Sequence, residues 1–513
     1  MSVAHGRRTA LDEIATGAPG SGPSSAPASR AQPPALAGRV GEIGRAFAPW
    51  ARRIAASPDD WLELWLAGGR ATPPSGSADA LRGALERLGP VFIKAGQLLS
   101  TRPDLLARPY LDALQSLHSR VPSLTTEAVD LCLSEYAAAL GGRLPFATFD
   151  PRPLAAASLA QVHRATLHDG TDVAVKLRRP GVERLVERDL RLLALLARAV
   201  GPRLGEVYDV GGLVEELELT LRDELDFRAE AESLALFARN LAPFAPLVRV
   251  PAVWHELTTE SVLVTELVRG RPLSEPLRPL AQARRQELAQ ATAHAYFQMF
   301  FVDGTFHADP HPGNLLLADD DTIVILDFGM VGRIERQLSD NLVRILLNFW
   351  LKDSHGVAHA FLDIGKPTRG ADELGWVLEV RRLLPRYHGV RLERLNLGAL
   401  LVDLLRGAAR NGIQAPPVVG LICKSLANMD GTVRLIDPTI DVLGTFHEFI
   451  PRLLESHARR LASPERAAKV ALDLQIGAQR IPFQIASILE KAATGRLRLV
   501  VDPLGDTPAR RRG

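Results

Sequence analysis

The stretch 307-HADPHPGNLLLADDDTIVILDFG-329 decides how this chain folds. Two apolar runs flank the acidic turn Asp319-Asp320-Asp321, a pattern that predicts strand, turn and strand, with the second strand over Thr322 to Leu326. Asp327 then projects from a strand end, and upstream Asp309 precedes Asn314 by five residues. Carboxylate and amide oxygens of this kind hold magnesium against phosphate groups. Taken alone, His307, Asp309 and His311 also form an HxDxH cluster of the sort that binds metal in a hydrolase. Such a site needs further ligands, and no HExxH or second His/Asp cluster supplies them. A metallohydrolase is therefore the remote alternative, with His307 otherwise a buried residue that orders its loop.

Upstream, QVHRATL (161–167) and DVAVKLR (172–178) alternate apolar and polar residues around the turn His168-Asp169-Gly170. This is a hairpin with Lys176 on its second strand. Phosphoryl transfer needs a lysine for the phosphates, a carboxylate to hold that lysine, and oxygen ligands for magnesium. Lys176 in VAVK, Asp309 with Asn314, and Asp327-Phe328-Gly329 meet these needs in the order found in protein kinases. Lysine is scarce here: of 61 basic residues only seven are lysines, at 94, 176, 352, 366, 424, 469 and 491. Arginine does not replace a compact ammonium cleanly at a phosphate, so the lysines that survive are candidates for roles that need lysine.

Four motifs narrow the likeness: KAGQ at Lys94 to Gln97, AAASLAQVH at Ala155 to His163, ELD at Glu224 to Asp226, and HADPHPGN. Together they resemble the UbiB/AarF/ADCK family of atypical kinase-like proteins, across residues 90–330. The resemblance implies an α+β, bilobal protein-kinase-like fold with an N-terminal helical extension and an α-rich C-terminal lobe. It implies ATP and Mg2+ as cofactors, with Glu230 pairing with Lys176 (Glu232 if the register differs), Asn314 and Asp327 holding magnesium, and Asp309 in the catalytic-base position. Ala155, Ala156, Ala157 and Ser158 would lie over the phosphates, with Val162 beside the nucleotide, and Thr265, Glu266 and Val268 would form the hinge next to adenine. Lys94, Gln97, Glu224 and Asp226 would belong to the regulatory or substrate region.

No Ala-Pro-Glu follows Gly329, and His311 stands where kinases carry a loop lysine, so protein side chains are poor acceptors. The resemblance implies instead an ATPase or a small-molecule or lipid kinase that supports isoprenoid quinone or lipid metabolism, with a lipid or quinone precursor as substrate. A nucleotide-gated scaffold or lipid chaperone is the alternative.

The rest of the chain bounds these readings. Its 513 residues exceed one hydrophobic core, and 46% hydrophobic with 23% charged content is ordinary for a globular protein. A net charge of +2 gives no strong field for nucleic acid, and none is expected as a partner. Cys132 and Cys423 alone build no disulfide framework, which suits a reducing compartment. With no secretory h-region and no spanning apolar run, the expected location is cytoplasmic, with peripheral membrane association as an option. The stretch IGAQRIPFQIASILEKA (476–492) reads as a core-packing helix ahead of an interfacial one.

The Ala/Gly/Ser/Pro-rich residues 1–40 predict a disordered tail. A helical extension is then expected over 41–144, an N-lobe over 145–268, a C-lobe over 269–460, and a helical extension and tail over 461–513. Further strands are expected over PAVWHEL (251–257) and SVLVTELV (261–268). An acidic helix within 211–241 would set Asp226 and Glu230 on one side, and a buried helix is expected in the uncharged stretch Leu288 to Val302.

Overall fold

The computed structural model describes residues 36–55, 73–102, 105–117, 123–204, 210–277, 279–368, 370–388 and 397–461. The tail up to residue 35 and the stretch 476–492 lie outside these residues. The chain divides into Met1–Glu448 and Phe449–Gly513, and of the second unit only the end of one helix is described.

Among the described residues four helices come first: α1 (Leu36–Ala55), α2 (Ser77–Leu88), α3 (Pro90–Ser100) and α4 (Arg108–Gln115). Gly96 of KAGQ lets α3 pack closely, since a Cβ there would stand 2.3 Å from a Leu117 methyl and 2.8 Å from one of Leu85. The next helix, α5 (Thr126–Ala139), departs from this group and covers a sheet. That sheet begins with β1 (Phe146–Ala156), β2 (Ala160–Leu167) and β3 (Asp172–Arg178), so Ala155 and Ala156 belong to a strand and only Ala157 and Ser158 to the loop. Helices α6 (Val182–Leu204), α7 (Val210–Leu225) and α8 (Phe227–Leu241) follow, then β4 (Val248–Arg249) and β5 (Val262–Glu266). The sheet is antiparallel in the order β1-β2-β3-β5, with Val175 opposite His163 and Val264.

Two expectations fail in this lobe. PAVWHEL contributes a single bridge from Val253 to Thr265 and a short 3-10 turn at His255–Leu257 rather than a strand. Its Trp254 and Leu257 instead pack onto the sheet core beneath α5, which takes the segment off the ladder. The acidic helix is not continuous. Asp226 is extended (φ −106°, ψ 101°) and caps α8 by accepting from Arg228 N at 3.0 Å, so it shares no helix face with Glu230.

The α-rich lobe runs through β6 (Gly270–Pro272), α9 (Gln282–Phe297), β7 (Thr305–His307), β8 (Leu315–Ala318), β9 (Ile323–Ile325) and β10 (Val331–Arg333). The expected strand over 322–326 is thus the three residues of β9. Beyond it lie α10 (Arg336–Trp350), α11 (Ser354–Leu362), β11 (Lys366–Pro367), α12 (Glu373–His388), α13 (Leu397–Arg410), β12 (Ile413–Gln414), α14 (Pro417–Ile436) and α15 (Val442–Leu461). The order β4-β9-β8-β6 forms a small second sheet, while β7 pairs with β10. The uncharged stretch is buried except for exposed Gln290 and the half-buried His294, Gln298 and Val302, and α9 widens into a π-turn at Gln298–Asp303, closed by Gly304 at φ 67°.

The apolar stripes of α1 to α4 share one core with α6 and α7, including Phe92, Tyr110, Val186 and Leu221. A buried charge pair locks this contact. Arg39 donates to Asp189 at 3.0 and 2.5 Å and to the Leu88 carbonyl at 2.6 Å, and Arg188 Nε donates to Asp189 at 3.0 Å. This partner explains why α1 starts at Leu36, inside the stretch read as tail. Because the Asp189 side chain is 0% exposed, Arg39→Met leaves a buried carboxylate with one guanidinium instead of two. We expect a loss of about 3 kcal/mol in urea unfolding; a loss below about 1 kcal/mol would mean that Arg188 alone compensates the charge.

Candidate active site

Strand alternation aims Lys176. Val173, Val175 and Leu177 pack under α5, so Lys176 projects from the opposite face of β3. There it meets α8, whose first turn carries Phe227 and buried Glu230. Lys176 Nζ donates to both Glu230 carboxylate oxygens at 2.8 Å and lies 5.3 Å from the Phe227 ring centroid. Asp327 Oδ1 stands 3.7 Å from the same ammonium. Glu230, not Glu232, is the partner.

Burial disfavours each of these charges, and the neighbours decide the outcome. It would pull the Lys176 ammonium down, but Glu230 and Asp327 more than offset this and hold it above the usual lysine range. The Glu230 carboxyl is pushed up to about 7 by burial, against the pull of Lys176. Asp327 goes the other way: the charge of Lys176 outweighs burial and keeps it ionised far below the usual carboxylate range. Its side chain is also 48% exposed, so it offers oxygen to a ligand while Oδ1 accepts from Gly329 N at 2.9 Å.

Packing brings a second cation to the same place. Lys94, from α3, forms an ion pair with Glu224 in the last turn of α7. Burial raises the Glu224 carboxyl, while Glu224 holds Lys94 charged against burial. Of the other two residues expected in this region, Gln97 reaches the Leu117 carbonyl at 3.5 Å and Asp226 is the cap of α8.

The loop after β7 supplies the opposite wall. His307 Nδ1 accepts from Asp309 N at 3.2 Å, and its carbonyl accepts from Ser425 Oγ at 2.7 Å. Its ring lies 5.1 Å from that of Phe328, which stacks in turn on Phe237 of α8 at 4.4 Å. Burial keeps the imidazole neutral, so the proton sits on Nε2, a buried donor with no acceptor among the described residues. His311 Nδ1 accepts from Gly313 N at 3.1 Å and starts the 3-10 turn that ends at Asn314, whose amide donates to the Asp309 carbonyl at 3.3 Å. Both histidines thus hold their own loop. Among the described residues no three His, Cys, Asp or Glu side chains gather to bind a metal, so His307, Asp309 and His311 do not form such a cluster there.

These groups line one cavity of about 100 Å³, with Lys94, Lys176, Glu224, Asp309, Asn314 and Asp327 in its wall together with Ala157 and Ser158. Sites for whole small molecules measure about 300 Å³ or more, so this space is on the scale of a phosphate group. The residues expected near adenine lie outside it. Glu266 is held by Arg249 at 2.8 Å, Val268 packs on Leu316 and Val324, Thr265 pairs with Ala174, and Val162 pairs with Lys176 across the ladder.

Two contributors had not been anticipated. From α14, Asn428 Nδ2 donates to Asp309 Oδ1 at 3.2 Å and Lys424 Nζ lies 3.6 Å from the same oxygen. The scarcity of lysine was the one signal that marked Lys424.

Residues 116–361 match the ABC1 atypical kinase-like domain and residues 380–441 the UbiB helical domain. The Synechocystis protein slr0889 is 34% identical over 386 residues, covering 72% of this chain and 94% of that one. This chain belongs to the ABC1/UbiB family of atypical kinase-like proteins. The probable protein kinase UbiB of Marinobacter nauticus is 34% identical over 410 residues, covering 77% of this chain and 73% of its own. The structure of Rv3197 from Mycobacterium tuberculosis, solved with erythromycin, superposes with a TM-score of 0.51 at 26% identity, covering 73% of this chain and 95% of that one. Asp309, Asn314 and Asp327 fall in the ABC1 match, and Lys424 and Asn428 in the UbiB helical match. No helix among the described residues is long and apolar enough to cross a membrane.

Proposed function

We propose that this ABC1/UbiB family member binds Mg-ATP between its two lobes and transfers or hydrolyses the terminal phosphate, with a small molecule rather than a protein side chain as acceptor. The convergence of Lys176, Glu230 and Asp327 on one cavity carries this reading. A fixed ammonium held between two carboxylates is a receptor for phosphate oxygens. The donor set also suits magnesium: the exposed carboxylate of Asp327 and the amide oxygen of Asn314 are hard ligands, and phosphates and water complete such a shell. When bound, the ion would neutralise phosphate oxygens. Lys176 orients the phosphates, Glu230 fixes Lys176, and Asp309 receives the acceptor proton.

The short path after Gly329 supports a small acceptor. The chain pairs β10 with β7 and enters α10 at Arg336, which leaves little length for a peptide-docking segment. The link to isoprenoid quinone or lipid metabolism, and to a membrane surface, rests on the family relationship. One observation favours the second reading, a nucleotide-gated scaffold: the Lys94–Glu224 pair sets α3 against the same phosphate-sized cavity, where its position could answer to what is bound.

Phosphate release from ATP by the purified chain, with and without detergent, separates the two. The enzyme reading predicts that Asp309→Asn lowers release about 100-fold or more, the range for a general base. Equal release from both proteins would favour the scaffold.

A further inference from the structure

A second cavity, of about 350 Å³, lies between the helices that precede the sheet and those of the UbiB helical segment. It is large enough for a whole small ligand. Its walls include Thr101 just after α3, Arg108 of α4, Tyr387 of α12, Arg406 of α13, and Lys424 with Asn428 of α14. Gly420 draws α14 against the chain after α3, since a Cβ there would lie 2.1 Å from the Thr101 carbonyl oxygen.

Two independent features say what this cavity takes. The first is its position: Lys424 and Asn428 line it and also contact Asp309 Oδ1, so one pair of side chains serves the cavity and the candidate base. The second is its charge. Its acids are engaged, Asp403 accepting from Tyr387 Oη at 2.6 Å and Asp112 lying 3.7 Å from Arg108 Nε. Arg406 is half-buried and makes no hydrogen bond or ion pair among the described residues; burial lowers its pKa from the usual arginine value, and the more distant Asp403 and Asp112 carboxylates offset this only in part. A guanidinium stays charged regardless, so a partly desolvated one without an acceptor is poised for an external anion.

We propose that this cavity is the acceptor site, and that it binds a small molecule or head group carrying one anionic group and a free hydroxyl. Arg406 binds the anion and Lys424 with Asn428 hold the hydroxyl end beside Asp309. The hydroxyl oxygen forms a bond to the terminal phosphorus of ATP as the bond from that phosphorus to the bridging oxygen breaks, leaving ADP with the electron pair. The hydroxyl proton passes to Asp309. Lys424 supplies, from a distant helix, the cation that His311 does not supply from the loop. This proposal rests on the phosphoryl-transfer reading above.

The test uses the full chain with γ-labelled ATP and two probes, glycerol 3-phosphate in solution and phosphatidylglycerol in phosphatidylcholine vesicles, which distinguish a free metabolite from a lipid head group. Label should pass to one of the two. Arg406→Gln should raise the KM for that probe about 10-fold, the loss of one charge-assisted hydrogen bond, with a much smaller change in the KM for ATP, and Arg406→Lys should recover part of it. Lys424→Met should lower kcat for transfer more than it raises either KM. Transfer to neither probe, or transfer indifferent to both Arg406→Gln and Lys424→Met, overturns the acceptor site while ATP release remains sensitive to Asp309→Asn. Insensitivity of that release to Asp309→Asn would instead remove the nucleotide reading beneath it.

Discussion

Asp327→Asn is expected to abolish the magnesium-dependent part of nucleotide-induced thermal stabilisation and to lower ATP turnover about 100-fold or more. The change keeps the shape of the side chain and removes its charge. Asp327 combines a half-exposed carboxylate with a strongly depressed pKa, because Lys176 lies 3.7 Å away and Gly329 N donates to its Oδ1. Partners one layer removed from a metal already cost about 10- to 100-fold when changed, so a direct ligand should cost at least the upper value. Stabilisation by a ligand follows its affinity, about 2.7 kcal/mol at a hundred times Kd, and the magnesium increment should vanish with the carboxylate. A thermal shift in Asp327→Asn that still responds to magnesium would place the metal elsewhere.

Lys176→Met should reduce turnover by a similar factor, and it should also change how stability depends on pH. In the parent, the Glu230 carboxyl sits at about 7, raised by burial and restrained by Lys176; removing the ammonium lets it rise further. An unfolded glutamate titrates near 4.5, so between that value and the folded one the native state keeps a proton that the unfolded state has released. Stability therefore falls as pH rises through this window. For the parent this decline ends near pH 7, whereas for Lys176→Met it continues above 7. Melting temperatures taken on both sides of neutrality should show the variant losing ground as pH rises, by about 3 kcal/mol once Glu230 is ionised alone. Lys176→Met/Glu230→Gln should remove the excess slope, and a slope that persists in the double variant would assign it to another group.

The parts of the site carried by strands were legible in the sequence, because alternation fixes direction. DVAVKLR puts Lys176 on the face away from Val175, and the apolar run before Asp327 leaves that residue at a strand end. Acidic helices are harder to read. Asp223, Glu224, Asp226, Glu230 and Glu232 look alike in a charged run, and only packing decides that Glu224 faces Lys94 while Asp226 interrupts the helix to cap α8. Lys424 and Asn428 reach Asp309 from more than a hundred residues downstream, where no local pattern links an α14 face to a loop. PAVWHEL misled because an apolar segment that packs at a sheet edge has the same composition as one that joins the ladder.

Where the triphosphate binds decides the function, and a structure of the chain with magnesium and a non-hydrolysable ATP analogue shows this directly. Phosphate oxygens in contact with Lys176 Nζ, and the metal ligated by Asp327 and Asn314, are the predicted result. A triphosphate bound away from Lys176, or a metal that touches neither Asp327 nor Asn314, would contradict it.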